Sequence, residues 1–251
     1  MEKSILKIEP VKRFYHDKNG EIEAIKDIDL DIYDKEFLSI VGPSGCGKSS
    51  LLSILSSLEK ATSGNIKFKH NNIRIGYMLQ NDSLFPWRTI LDNCLIGLEI
   101  THELNDDNKN KVIQLLNTYG LGDFIYKYPN SLSGGMRQRV ALIRTLATDP
   151  DILLLDEPFS ALDYQTRLAL SDDVYQIIKN EGKTVIMVTH DLAEAISLSD
   201  RIVVLTKRPA EIKNIYTIHL SNKSTPINNR KAKEFSTYYD MIWRDLDVHI
   251  Q

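Results

Sequence analysis

The most specific chemistry in the chain lies in one short loop: Gly42, Pro43, Ser44, Gly45, Cys46, Gly47, Lys48, Ser49 and Ser50. Its spacing is Gly-x-x-x-x-Gly-Lys-Ser. It runs from the compact apolar run Phe37–Val41 into Leu51, Leu52, Ile54, Leu55 and Leu58, which recur at helical spacing. Glycines let the backbone curl until successive N–H groups point inward, and the following helix turns its positive end to the same point. Such a nest holds the phosphates of a nucleoside triphosphate, with Lys48 reaching the β- and γ-phosphates and Ser49 a ligand for Mg²⁺. The strand–loop–helix context separates this reading from a plain Gly/Ser turn. Cys46 reads as a small loop residue rather than a nucleophile, because no histidine stands in the sequence as its evident partner.

A second acidic element follows the apolar run 152–155, where Asp156 and Glu157 precede Pro158. Consecutive side chains at a strand end point in opposite directions, so the two carboxylates can hold different tasks. Phosphoryl transfer to water needs one group to help hold Mg²⁺, which suits Asp156, and one to orient or deprotonate the water, which suits Glu157. Alone, the pair would read as a helix cap. Beside the phosphate loop it reads as hydrolytic machinery.

Leu132, Ser133, Gly134, Gly135, Met136, Arg137 and Gln138 lie shortly before that strand. A helix starting here can offer the Ser133 hydroxyl and the Gly134 and Gly135 N–H groups to a γ-phosphate; in isolation it would be a capped helix start. With these residues the chain resembles the ATP-binding-cassette ATPases, whose signature is Leu-Ser-Gly-Gly-Gln or a close variant, Met136 standing in for the glutamine. Gln80 after a strand, Ser160 to Asp163 after the acidic pair, and His190 after Thr189 follow in that family's order. Singly, His190 would be a core or capping histidine and Gln80 would carry no meaning.

The resemblance implies that Gln80 contacts Mg²⁺ or the attacking water and that His190 contacts the γ-phosphate. It also implies that Asp163 helps join two protomers. Ser133, Gly134 and Gly135 would touch ATP held by the opposite copy, in a head-to-tail homodimer. An aromatic residue upstream would stack on adenine, which is Tyr15 or its neighbour Phe14. The stretch from Gln80 through Phe85, Pro86 and Trp87 to Thr89 resembles importers of nitrate, sulfonates and taurine, as does the run Lys207, Arg208, Pro209, Ala210. Phe85, Pro86 and Trp87 either line a groove for a permease helix or pack a hinge. The implied setting is the cytoplasmic face of a membrane, as a peripheral subunit serving an integral permease and, indirectly, an extracytoplasmic solute-binding protein. An exporter's ATPase and a non-transport ATPase of DNA repair or the ribosome are the rival readings.

These residues need a scaffold. The charged–apolar alternation about Ile28, Leu30 and Ile32 suits a half-solvated strand, and the runs 37–41, 152–155, 184–189 and 202–205 suit buried ones. Helices are expected over 164–179 and from Leu192, and a helical tract over 89–149 carries Val112, Leu115, Leu116 and Tyr119 on one face and a second helix at 136–147. Residues 220–230 read as a loop and 231–249 as a terminal helix. The expectation is an α/β fold with a mostly parallel sheet. By the resemblance it is a P-loop NTPase core of residues 1–88 and 150–220, with an N-terminal antiparallel β subdomain, the helical insert 89–149 and a tail 221–251. Among 251 residues, 31 Lys and Arg face 34 Asp and Glu, a net charge of −3, so a nucleic-acid partner is not expected. The two cysteines suggest neither a zinc site nor a disulfide framework, and no apolar run is long enough to span a bilayer.

Overall fold

The computed structural model describes residues 4–17, 20–160 and 162–246. Two long strands, β1 (Ser4–Asp17) and β2 (Gly20–Tyr33), pair antiparallel, with Leu6 opposite Ile32 and Ile8 opposite Leu30. Ile8, Val11, Ile28, Leu30 and Ile32 are buried while Lys7, Asp27 and Asp29 face solvent, an alternation interrupted where the register shifts. The strand β4 (Ser63–Phe68) adds to the other edge of β1. Gly64 makes that approach possible: its φ is 86°, and a Cβ there would lie 2.1 Å from the Pro10 carbonyl oxygen.

The parallel part comprises β3 (Phe37–Val41), β6 (Ile152–Asp156), β7 (Thr184–Val188) and β8 (Arg201–Leu205), apolar runs buried on both faces, with β5 (Ile75–Met78) as a half-buried edge. A further strand, β9 (Ala210–Thr217), runs antiparallel to β8 and parallel to β2, and so joins the two parts. The result is a nine-stranded sheet in the order β4-β1-β2-β9-β8-β3-β7-β6-β5.

Helices α1 (Lys48–Leu55), α5 (Tyr164–Glu181) and α6 (Leu192–Leu198) pack on the sheet, with α7 (Pro226–Asn229) and α8 (Phe235–Asp245) outside them. Between β5 and β6, α2 (Ile90–Ile100), α3 (Asp106–Thr118) and α4 (Gly134–Leu146) bury their own apolar cluster, including Leu91, Leu98, Val112, Leu116 and Val140. Thr89, Asn105, Ser133, Asp163 and Asp191 cap α2, α3, α4, α5 and α6 through side-chain oxygens.

Several element boundaries differ from the pattern reading. The helix after the phosphate loop stops at Leu55, Ser57 turns left-handed at φ 61°, and Leu58 is 69 % exposed rather than part of the helix's buried face. The presumed loop 220–230 contains α7, started by a Thr225 cap and Pro226 at its first turn. The terminal helix begins at Phe235 and ends at Asp245, and the expected continuation to 249 reaches outside the described residues. Strand β9 was not anticipated, because residues 210–217 carry only a weak alternation of apolar and polar side chains.

Candidate active site

The loop 42–49 leaves the carboxyl end of β3, the edge at which ligands of parallel sheets bind. Gly47 has a φ of 124°, and a Cβ there would lie 3.0 Å from the Ala24 carbonyl oxygen, so glycine lets the loop close on β2. The side chain of Lys48, 6 % exposed, donates to the carbonyls of Gly42 at 2.7 Å and Pro43 at 3.0 Å and so bridges the loop. No side chain caps α1 and no acidic residue sits in its first turn, which leaves its amino end free to receive an anion.

Asp156 ends β6, where it meets both the loop and β5. The Ser49 hydroxyl donates to its Oδ1 at 3.4 Å and the Tyr77 hydroxyl to its Oδ2 at 3.3 Å. Burial raises the pKa of Asp156, and burial together with the adjacent carboxylate raises that of Tyr77. Glu157 follows with φ 46°, a left-handed conformation that is unusual outside glycine, held by a hydrogen bond from its N–H to the Val188 carbonyl at 2.9 Å. Its Oε2 accepts from Gln80 Nε2 at 3.2 Å and lies 3.1 Å from His190 Nδ1. Gln80 also donates to Ser160 Oγ at 3.1 Å, and Ser160 donates to the Glu157 carbonyl at 3.0 Å. Two residues remote in sequence, Gln80 and His190, thus meet on one carboxylate.

A cavity of about 720 Å³ opens beside this cluster, within the range of small-ligand sites. Tyr15, Ile22 and Ala24 line one part of it; Ser44, Gly45, Gly47, Lys48, Ser49 and Ser50 line another, with Glu157, His190 and Arg208 completing it. Of the two aromatic candidates, Tyr15 lines the cavity, while Phe14 does not and gives its N–H to Thr62 Oγ1. The Tyr15 hydroxyl donates to Glu59 Oε2 at 2.8 Å beside Ser50 Oγ at 3.0 Å, and the Arg13 guanidinium lies 4.4 Å from the ring centroid.

Other expected residues fall elsewhere. Gly42, Pro43 and Cys46 do not line the cavity; the Cys46 side chain is buried in the core, where burial pushes its thiol up. Ser133, Gly134, Gly135 and Asp163 are also absent from its described lining. Ser133 is exposed and caps α4, while a Cβ on Gly134 or Gly135 would come within 3.0 Å of Leu162 or 3.1 Å of Thr166. The signature glycines therefore pack against the segment that carries Asp163; Ala161 within that segment lies outside the described residues.

Sequence reasoning missed the groups that tie Gln80 to α4. Arg144 donates to the carbonyls of Ser83 and Asp82, Arg137 pairs with Asp82 at 3.0 Å, and Gln138 donates to the Gln80 carbonyl at 3.4 Å. It also missed Asn93, Tyr77 and the role of Arg208 in the cavity wall. A buried asparagine on an otherwise apolar helix face was the one available signal, and it names no partner.

A nucleotide-sized cavity at the carboxyl edge of a mainly parallel sheet, floored by a glycine loop and flanked by an acidic strand end, defines a P-loop nucleotide hydrolase. Residues 25–160 match the family profile described as ABC transporter, and the chain belongs to that family. It is 43% identical to an uncharacterized ABC transporter ATP-binding protein, YtlC, of Bacillus subtilis, over 97% of this chain and 96% of that one. Identity is 37% to the taurine import ATP-binding protein TauB of a Jannaschia species (95% of this chain, 93% of the relative). It is likewise 37% to the nitrate import ATP-binding protein NrtD of a Synechocystis species (94% and 93%). The fold is that of the ABC cassette MJ0796, solved as a dimer, at TM-score 0.72, 31% identity and 85% of this chain against 99% of that one. It also matches the post-hydrolysis form of that cassette bound to ADP and Pi, at TM-score 0.69, 32% identity, 83% of this chain and 99% of that one. The chain is accordingly an ATP-hydrolysing enzyme.

Proposed function

We propose that the chain is the ATPase subunit of an importer for nitrate, a sulfonate, taurine or a related small solute. On this reading two copies close head to tail on two Mg·ATP and drive a separate permease from the cytoplasmic side of the membrane. The observation that carries it is the meeting of Gln80 and His190 on the Glu157 carboxylate, which lines the cavity. No described helix is long and apolar enough to cross a membrane, and the reading assigns the solute path to other chains.

Within the cavity Tyr15 stacks on the base, and the N–H groups of the loop and Lys48 hold the phosphates. The hydroxyl of Ser49 and the carboxylate of Asp156, already within 3.4 Å of each other, fit a cation that takes hard oxygen ligands, with Gln80 joining them. When bound, Mg²⁺ would offset charge on the phosphate oxygens as the γ-phosphoryl leaves. Glu157 accepts a proton from the attacking water, and His190 and Gln80 hold the carboxylate in place for it. Ser133, Gly134 and Gly135 serve the partner's nucleotide, and Asp163 sits at the joint.

The helical insert 89–149 moves against the core 1–88 and 150–220, with 221–251 as a tail. Its link to the site is the segment from Gln80 to Thr89, gripped by Arg137, Gln138 and Arg144 of α4. Exposed Leu79 and Trp87, 45% and 71%, and the Phe85–Trp87 ring pair offer apolar surface for a permease helix beside that link. Support for import comes from the taurine- and nitrate-import relatives.

The test is to purify tagged Glu157→Gln chain from native membranes with ATP present and identify its companions by mass spectrometry. A multi-spanning permease together with a solute-binding protein is the expected result. Ribosomal or repair proteins with no permease would overturn the transport role while leaving the ATPase intact.

A further inference from the structure

Besides Lys48, Arg208 is the one side chain with a fixed positive charge among the described residues that line the cavity. It is exposed and makes no hydrogen bond or ion pair with another described residue. The turn that bears it is well anchored. Thr206 Oγ1 lies 3.2 Å from the Pro209 carbonyl and accepts from the Glu211 N–H at 2.9 Å, while the Thr206 N–H donates to the Glu211 carbonyl. At its base, a Cβ on Gly47 would lie 3.6 Å from Ala210 Cβ, so the turn rests on the phosphate loop.

Strand register fixes the base of the turn that bears Arg208. Ala210 pairs with Ile25 on β2, and Tyr15 on β1 pairs with Ile22. Arg208 lies in the turn two residues before Ala210 and lines the same cavity as Tyr15. Strands β1 and β9 flank β2 at about 4.8 Å each, which puts their backbones roughly 10 Å apart. A planar group fits between side chains that approach from both sides of such a gap. Arg13 covers one side of the Tyr15 ring, and Tyr15 still lines the cavity.

We infer that Arg208 is a nucleotide-binding residue whose guanidinium stacks on the base-and-ribose half of the bound nucleotide, across from Tyr15. A planar cation on an aromatic face gains both charge attraction and contact area. Because ATP and ADP share that half, Arg208 strengthens the binding of both equally and leaves the hydrolytic step to Glu157.

The experiment measures ATP and ADP affinity by calorimetry, and KM and kcat for ATP, on full-length Arg208→Ala, Arg208→Lys and Lys48→Ala chains. Arg208→Ala is expected to weaken ATP and ADP by the same factor, about fivefold to tenfold, and to raise KM alike. Its kcat at saturating ATP should stay within about twofold, with the nucleotide-free melting temperature unchanged. Arg208→Lys should recover only part of the loss, since an ammonium has no planar face. Wild-type affinities in Arg208→Ala would overturn the inference, as would a loss confined to ATP, which would put the guanidinium at the γ-phosphate. The inference rests on the cavity being the ATP site. Retained affinity in Lys48→Ala would sink that reading, whereas loss in Lys48→Ala with none in Arg208→Ala sinks the Arg208 assignment alone.

Discussion

Replacing Asn93 with alanine should loosen the segment that joins the Gln80–Glu157–His190 cluster to the helices between β5 and β6. Asn93 lies in the first turn of α2 and is 0% exposed. Its Oδ1 accepts from the Phe85 N–H at 2.7 Å. Its Nδ2 lies 3.1 Å from the Phe85 and Arg88 carbonyls and 2.9 Å from that of Thr89. Two N–H bonds serve three carbonyls, so one bond is shared and the side chain supplies about three full hydrogen bonds. At about 1 kcal/mol net for each, the loss is about 3 kcal/mol. For a chain of this size that lowers Tm by roughly 6–12 °C. Asn93→Asp should cost more, since it turns an anionic oxygen toward the same carbonyls. Thermal unfolding by circular dichroism reads the shift, and hydrogen exchange at the Phe85 amide reads its location. A fall in Tm of less than about 2 °C, or unaltered exchange at Phe85, would refute the view that Asn93 pins this segment.

Glu157→Gln should bind ATP yet hydrolyse it at least about 100-fold more slowly and accumulate as a dimer in gel filtration; undiminished turnover would remove Glu157 from the proton-accepting role. Glu194, 2% exposed, accepts from Thr189 Oγ1 at 2.9 Å and faces Arg167, Arg230 and Asp191; burial lifts its carboxyl from 4.5 to about 7. The folded state thus holds this proton more tightly than the unfolded chain. Its contribution is fully present below pH 4.5 and declines by about 3 kcal/mol as pH rises through about 7. Urea titrations across that window should show Glu194→Gln with a flatter dependence than wild type, and parallel curves would contradict the shift. Neither cysteine should be alkylated in the native protein at neutral pH, because both are buried and burial pushes the Cys94 thiol up to about 12. Rapid iodoacetamide labelling of either, read by mass spectrometry, would show that its cover opens.

Much of the core was legible because its signals are local. The phosphate loop, the run ending in Asp156 and the buried strands each declare themselves within a few residues. The relation between Gln80, Glu157 and His190 was legible only as an order of motifs; their meeting on one carboxylate depends on the parallel pairing of β5, β6 and β7. Side chains that grip backbone carbonyls, such as Arg144 on Asp82 and Ser83, left no trace in the sequence, since a carbonyl has the same identity at every position. Leu58 misled for the opposite reason. It continues the helical period, yet the left-handed Ser57 turns the chain so that the leucine faces solvent.

The cavity contains a phosphate loop but, among its described walls, no part of Ser133 to Gly135. In the proposed pairing each complete site draws on two chains, and this has a genetic meaning. A chain without Lys48 and a chain without the Ser133 signature are each inert alone. Paired with each other, they build one intact site from the sound loop of the second and the sound signature of the first. Two recessive alleles of a single gene should then complement one another in one cell, because each mixed dimer keeps one intact site.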